Sequence, residues 1–419
     1  VRTVFPKQVR RQWINLLLIL FGSGVGWIAV YLFDNAAGWS PDLGFAEWSP
    51  LIALFNTPHF ALGLGLEALF FALVLRMSRK NDAHQLWWAI LAALVGLLDS
   101  LVYVYHLAII GLVVGFLLLV QAFQARRIPW RQWAYGAVVL LPQLPLLYYY
   151  AFQTNNDPFW TQYITTTHVI SPPTILGLLV GLGGLGVLAL VGGRWWLRQG
   201  YSPLLPIWAT VNLAALYLPG IHFSGRFALG LMIPIATLAT AGLESVIVAN
   251  VNEAKAKQRF AKLTPTPIAT LRRVIFILLL PSTLMNILLF IQGPRQQPDF
   301  PYYLPTSDVQ AAKWLGEHAD ETAVTLSYYP IGNYLPRVYD GKVFMGQLDF
   351  TTNLDKKLAL YEQFWQMNEQ EQRRFLEAWG ITHIFSGTYE AGYETAVSAE
   401  SAIVYEANGV KIFTVNLDK

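Results

Sequence analysis

Apolar runs of about 20 residues, the length that crosses a ~30 Å hydrocarbon core, alternate along this chain with short polar segments. They place spans at residues 13–33, 58–76, 86–99, 106–123, 133–151, 174–192, 203–219, 227–248 and 274–291, nine in all. The third and fourth come from one run, Gln85 to Phe123, which as a single helix would be ~57 Å long at 1.5 Å per residue. Polarity dips at Asp99-Ser100, so the run is divided there. Pro142 and Pro145 predict a kink in the fifth span. Thr57-Pro58 supplies an N-cap residue followed by a first-turn proline, which starts the second span with His59 beside unpaired backbone N–H groups. Ser171-Pro172-Pro173 is a second signal of that kind.

After Gln292 the pattern changes. Gly293-Pro294-Arg295-Gln296-Gln297-Pro298 reads as a linker, and the rest as an α/β unit. Ser307-Asp308-Val309-Gln310 reads as a capping-box start for a helix through His318. Ala323–Tyr328, Lys342–Met345 and Ile381–Ser386 read as strands, Asn353–Met367 and Glu369–Trp379 as amphipathic helices. Ala402–Val415 is a hairpin turning at Asn408-Gly409. Strands alternating with helices imply a partly parallel sheet. The expected domains are 1–292 transmembrane, 293–299 linker and 300–419 soluble.

Charge fixes the expected orientation. Alternate connecting segments, counted with the residues before the first span, carry 18 Lys and Arg, whereas the other set holds only Arg226. The positive-inside rule then puts the N-terminus inside and everything after the ninth span outside, and it fails if Gln85–Phe123 crosses once. Composition agrees: 54% hydrophobic and 13% charged residues with 15 Trp in 419 residues exclude an ordinary soluble protein. The chain has no Cys, and nothing in it points to a nucleic-acid partner. The expected fold is a polytopic α-helical membrane protein of about nine spans, in the cell membrane, with an extracytoplasmic α/β domain.

The candidate chemistry gathers on the outside. The loop Asp34–His59 carries Asp34, Asp42 and Glu47 with Trp39, Phe45 and Trp48, and no Lys or Arg. Paired carboxylates serve either to bind a divalent cation or to act as a base, with solvated loop charges as the plainer reading. Arg226, four residues after His222 and beside a helix start, makes an anion site suited to phosphate; a lipid-snorkelling arginine is the alternative. Asp99 and His106 flank the turn between the third and fourth spans, and Glu67 lies inside the second, either lining a cavity or bonding a neighbouring helix. Gly181-Leu182-Gly183-Gly184-Leu185-Gly186 matches G-x-G-x-x-G, but no strand precedes it and it sits in a span, where small residues serve close helix packing.

Trp39 to His59, Asn56-Thr57-Pro58-His59-Phe60-Ala61-Leu62, His222-Phe223-Ser224-Gly225-Arg226-Phe227 and the C-terminal segments Ala311–Leu315, Gly332-Asn333-Tyr334 and Gly341–Gly346 together resemble bacterial polyprenyl-phosphate-dependent membrane glycosyltransferases of the GT-C type. The resemblance covers most of the chain in layout and short motifs. It implies a donor sugar on a polyprenyl-phosphate carrier in the membrane lipid, and a glycan, lipid or protein acceptor. It also implies that Arg226 and His222 hold the carrier phosphate, with His59, Asp99 and His106 at the substrate, and that an acid of the first outside loop, Asp42, Glu47 or Asp34, deprotonates the acceptor. The chain opens at Val1 directly before a span, so the principal acid is either in this loop or in one preceding a truncated, inactive form. A non-catalytic envelope glycan-binding or assembly protein is the alternative function, and a transporter the third.

Overall fold

A computed structural model describes residues 1, 3–32, 40–79, 82–167, 169–251, 253–390 and 401–415. The chain divides into two compact units, Val1–Leu289 and Phe290–Lys419.

The first unit is helical. Six helices are long and apolar enough to cross a membrane: Val9–Val30, Pro58–Met77, Gln85–Val102, Tyr105–Ala125, Ile175–Arg198 and Ser224–Asn250. Pro267–Leu278 and Pro281–Gln296, bent by 42°, make a seventh if taken as one span. The expected spans 133–151 and 203–219 take other forms. The first is Trp130–Leu140, a 3-10 turn Leu141–Gln143 carrying Pro142, and Leu144–Asn156, which is the anticipated proline kink. The second is a short helix, Leu204–Ala215. Outward-facing Leu69, Leu94, Leu98, Leu119, Leu179 and Leu190 are exposed, as befits helices whose second solvent is hydrocarbon. Phe70, Phe71, Val74, Ile109, Ile110, Val113 and Trp208 form the middle of the core.

The Gln85–Phe123 run does break, at Tyr103-Val104 rather than Asp99-Ser100. Asp99 and Ser100 stay in the last helical turn: Asp99 O accepts from Tyr103 N at 2.7 Å, its Oδ1 shares a hydrogen bond with His106 Nδ1, and Ser100 Oγ donates to Gln143 Oε1 at 3.4 Å. Thr57 occupies the N-cap position with Pro58 in the first turn, yet its hydroxyl makes no capping bond. At the second expected start, Thr174 is the cap, accepting from Gly177 N at 3.0 Å.

The second unit is a five-stranded sheet of order β2-β1-β3-β5-β4, built from β1 (Val324–Leu326), β2 (Lys342–Val343), β3 (His383–Ser386), β4 (Ser401–Ala407) and β5 (Val410–Val415). β1 pairs parallel with β2 and β3, with Thr325 opposite both Val343 and His383; β3–β5 and β4–β5 are antiparallel. Side chains alternate between two apolar layers. Leu326, Ile384 and Phe413 pack with Phe364, Phe375 and Leu376, while Phe385 and Ile412 pack with Ala311, Leu315 and Ile331. Both faces are covered, so the neighbours Ile384 and Phe385, which point to opposite faces of β3, are both buried. The Thr306–His318 helix begins at Pro305 without a side-chain cap, and Asp308 bonds elsewhere. A capping box of Asn368 and Glu371 opens Glu369–Trp379, and Gly380 at φ 62° closes it. Residues 293–296, expected in a linker, continue the Pro281–Gln296 helix with Pro294 inside.

Candidate functional site

Arg226 sits in a 3-10 turn, Ser224–Ala228, just ahead of the Met232–Ala241 helix. Such a turn leaves backbone groups unbonded, and each must find a partner when buried. Gly225 N donates to Ile170 O at 2.9 Å and Ile170 N to His222 O at 3.0 Å, which ties two loops together. Tyr103 Oη donates to Arg226 O at 3.1 Å, and Asn212 Nδ2 to Phe227 O at 2.9 Å. The guanidinium donates from Nη1 to the Glu47 carboxylate and lies over the Phe60 ring, with Cζ 5.9 Å from its centroid. Glu47 is 4% exposed and the Arg226 side chain 15%. The cation is thus held in a fixed direction by a buried counter-ion and an aromatic face, with part of it reachable.

An aromatic wall surrounds this pair. His59, exposed in the first turn of its helix, stacks on Tyr103 at 6.3 Å and meets Phe60 edge-on at 4.8 Å. Tyr103 meets Tyr105 at 5.1 Å, and Tyr105 meets Phe223 at 5.0 Å.

Tyr103 also covers a second, fully buried cluster, its ring 4.6 Å from that of His106. His106 Nδ1 and Asp99 Oδ1 share a hydrogen bond of 2.9 Å, and His106 Nε2 lies 3.5 Å from Glu67 Oε2. Trp208 Nε1 donates to Glu67 Oε1 at 3.1 Å. Asp99, His106 and Glu67 are each 0% exposed. Gly230, at φ +85°, lies against the Glu67 carboxylate, where any Cβ would collide with it. The segment that carries Arg226 is therefore pinned at its carbonyl by Tyr103 and four residues later by Glu67.

Glu47, Arg226 and His59 meet, with Asp99 and His106 beneath them. Asp42 goes elsewhere: it is 1% exposed and accepts from Gly26 N at 3.1 Å and from the Ser40 hydroxyl, while its carbonyl takes Asn286 Nδ2 at 2.7 Å. Burial raises its carboxyl above the usual range, against the opposing pull of Ser40, Ser282 and Gly26. Asp42 thus holds the loop to two helix ends, and it does not share with Glu47 the partners a joint cation site would need. His222 is exposed and offers its carbonyl, not its ring, to the neighbouring loop. Asp34 and Trp39 lie outside the described residues. Among the described residues no group of three or more His, Cys, Asp or Glu side chains is arranged to hold a metal ion.

Sequence reading missed Phe60, Tyr103, Trp208, Asn212 and Gly230, although all but Gly230 had a visible signal. A polar or amphipathic side chain within an apolar span usually has a buried partner, and Tyr103 and Phe60 sit within four residues of Asp99 and His59.

No family model and no curated relative matches the sequence. Solved structures similar to it include the apo oligosaccharyltransferase of Archaeoglobus fulgidus, with 13% identity and TM-score 0.48 over 92% of this chain and 56% of that one. The same enzyme with zinc and sulfate has 15% identity and TM-score 0.49 over 100% and 60%. ArnT from Cupriavidus metallidurans bound to undecaprenyl phosphate has 15% identity and TM-score 0.46 over 97% and 83%. The chain spans about three fifths of the length of the oligosaccharyltransferase structures.

Proposed function

We propose that this chain is a membrane glycosyltransferase that moves a sugar from a polyprenyl-phosphate carrier to an acceptor on the extracytoplasmic side of the cell membrane. The observation that carries the reading is the Arg226–Glu47 pair at the aromatic wall. The carrier phosphate is a singly charged diester while it holds the sugar and becomes a doubly charged monoester as the sugar leaves, so it meets the guanidinium with the same fork geometry as a carboxylate and is held most strongly as that charge develops. As the carrier phosphate draws Arg226, Glu47 loses its counter-ion and becomes a better proton acceptor. The acceptor hydroxyl oxygen then bonds to the anomeric carbon, its proton passes to Glu47, and the bond from that carbon to the phosphate oxygen breaks. Arg226 stabilises the leaving phosphate. His59, stacked on Tyr103, lines the sugar's position, Asp99 and His106 support Tyr103 from below, and Asp42 keeps the loop in place.

In this reading the chain crosses the membrane nine times with its N-terminus inside. Arg226→Ala reduces transfer from a polyprenyl-phosphate sugar in proteoliposomes by at least ~10²-fold, the scale for removing one charge-stabilising donor, with membrane insertion intact. Undiminished transfer in that variant rules the assignment out. Glu47→Gln lowers kcat by ~10²-fold or more, as loss of a general base does, without raising KM for the carrier. A KM effect alone would reduce Glu47 to a tether.

A further inference from the structure

In sheets with parallel strands, ligands bind outside the carboxyl ends of the strands, where the strand order reverses. The order β2-β1-β3 puts that point between β1 and β3. It is filled from within: Glu390 accepts from Tyr328 N at 2.8 Å and Gly387 N at 2.9 Å, and Asp308 accepts from Thr388 N at 3.2 Å and its hydroxyl at 3.0 Å. The open space lies instead beyond the carboxyl end of β2, a cavity of about 390 Å³, within the ~300–1,000 Å³ range of small-molecule sites.

Lys357 is the one charged side chain among those that line it. Its Nζ donates to Phe344 O at 2.7 Å and lies 5.4 Å from the Phe344 ring centroid and 5.9 Å from that of Trp379. Among the described residues no carboxylate pairs with it, and burial pulls its ammonium below the ordinary lysine range. Asp349 is occupied at 3.1 Å by Gln347 Nε2 and is not part of the lining. The rim carries the exposed Phe350 ring, 58% accessible, and the exposed polar side chains of Asn333 and Thr352. A half-desolvated cation without a counter-ion calls for an anion. An exposed aromatic face beside amide and hydroxyl groups suits the C–H face and hydroxyls of a sugar ring.

We propose that this cavity binds one acidic sugar unit of a glycan, with the sugar carboxylate on Lys357, one ring face on Phe350 and its hydroxyls on Asn333 and Thr352. The site does not depend on the transferase reading, and Arg226→Ala leaves it unchanged.

The test is calorimetric titration of the full chain in nanodiscs with trisaccharides of galacturonic and glucuronic acid, against the neutral galactose and glucose trisaccharides. At least one acidic trisaccharide binds, and its neutral counterpart binds at least tenfold more weakly. Phe350→Ala and Asn333→Ala alter exposed positions, and Lys357→Met keeps its stem against Phe344 and Trp379. Phe350→Ala and Lys357→Met each weaken acidic-sugar binding tenfold or more with unchanged thermal unfolding. The proposal is overturned by equal affinity for neutral and acidic sugars, by wild-type affinity in either of those variants, or by no binding of either acidic sugar.

Discussion

Two carboxylates show how a residue's role depends on what reaches it. Glu390 is 0% exposed and receives three donors, Tyr328 N, Gly387 N and Tyr361 Oη at 3.0 Å, closing the crevice between β1 and β3. Burial is the largest influence on its carboxyl and raises it above its ordinary value of 4.5. The native state therefore keeps a proton that the unfolded chain has released, so this contribution is present below pH 4.5 and is lost as pH rises through the folded value. Glu390→Gln puts an amide N–H against a backbone donor and costs about 1–3 kcal/mol. That cost is largest below pH 4.5 and narrows at higher pH, because only the wild type titrates. Amide exchange of β3 in the full chain measures it, and a gap that widens with pH would contradict the assignment. Nothing in the sequence marked Glu390, since two of its three donors, Tyr328 N and Tyr361 Oη, lie 62 and 29 residues away. The sequence offers Asp308 only as an inner position of the Ser307–Gln310 capping-box pattern, yet it bonds Thr388, 80 residues away. Arg226 was legible because charge is scarce there, whereas its partner Glu47 was one of several loop acids until the fold chose it.

At the scale of elements, the first unit is held by helices that break and repair one another. The chain leaves helical geometry at Gly22–Val25, at Gly183 (φ +44°) and between Leu279 and Pro281. Val25 N donates to Val180 O at 2.9 Å, Ser23 N to Leu279 O at 2.9 Å, Trp27 N to Ser282 Oγ at 3.1 Å, and Trp48 Nε1 to Gly181 O at 3.3 Å. Broken backbone away from water persists only with such exchange. The glycine run 181–186 allows close packing, since a Cβ at Gly183 meets Gly24 and Val25 backbone at 3.0–3.2 Å. The breaks themselves were invisible, because each depends on a partner about 130 to 260 residues away in sequence. Gly183→Ala combines positive-φ strain of ~1–3 kcal/mol with that close approach. It lowers the thermal unfolding midpoint in detergent and speeds exchange at Val25, while Gly65→Ala, with nothing within 4 Å of its Cβ, leaves both unchanged.

For the whole molecule, the bonds between loops constrain how many times the chain crosses the membrane. Segments expected inside bond to one another: Arg79 donates to Thr3 O, and Arg10 and Arg272 both reach Glu244. Segments expected outside do the same, through Glu47 to Arg226, Ile170 to His222, Tyr217 Oη to Pro173 O and Tyr103 to Arg226. If only the seven long or bent helices crossed, residues 157–173 and 217–226 would lie on opposite faces, and the bonds between Ile170 and His222 would have to pass through the bilayer. Nine crossings, counting 130–156 and the short 204–215 helix, put every bonded pair on one face. The 18-to-1 distribution of Lys and Arg supports the same alternation. The absence of cysteine makes the arrangement directly measurable. His222→Cys, Gln199→Cys and Gln297→Cys place single thiols at exposed positions. In intact cells an impermeant maleimide labels His222→Cys and Gln297→Cys, and it reaches Gln199→Cys only after permeabilisation. Seven crossings would instead expose Gln199→Cys together with His222→Cys, and six would hide Gln297→Cys with the cytoplasmic thiols. Nine is therefore the only one of the three counts that yields the first pattern, and labelling of Gln199→Cys in intact cells would dismantle it.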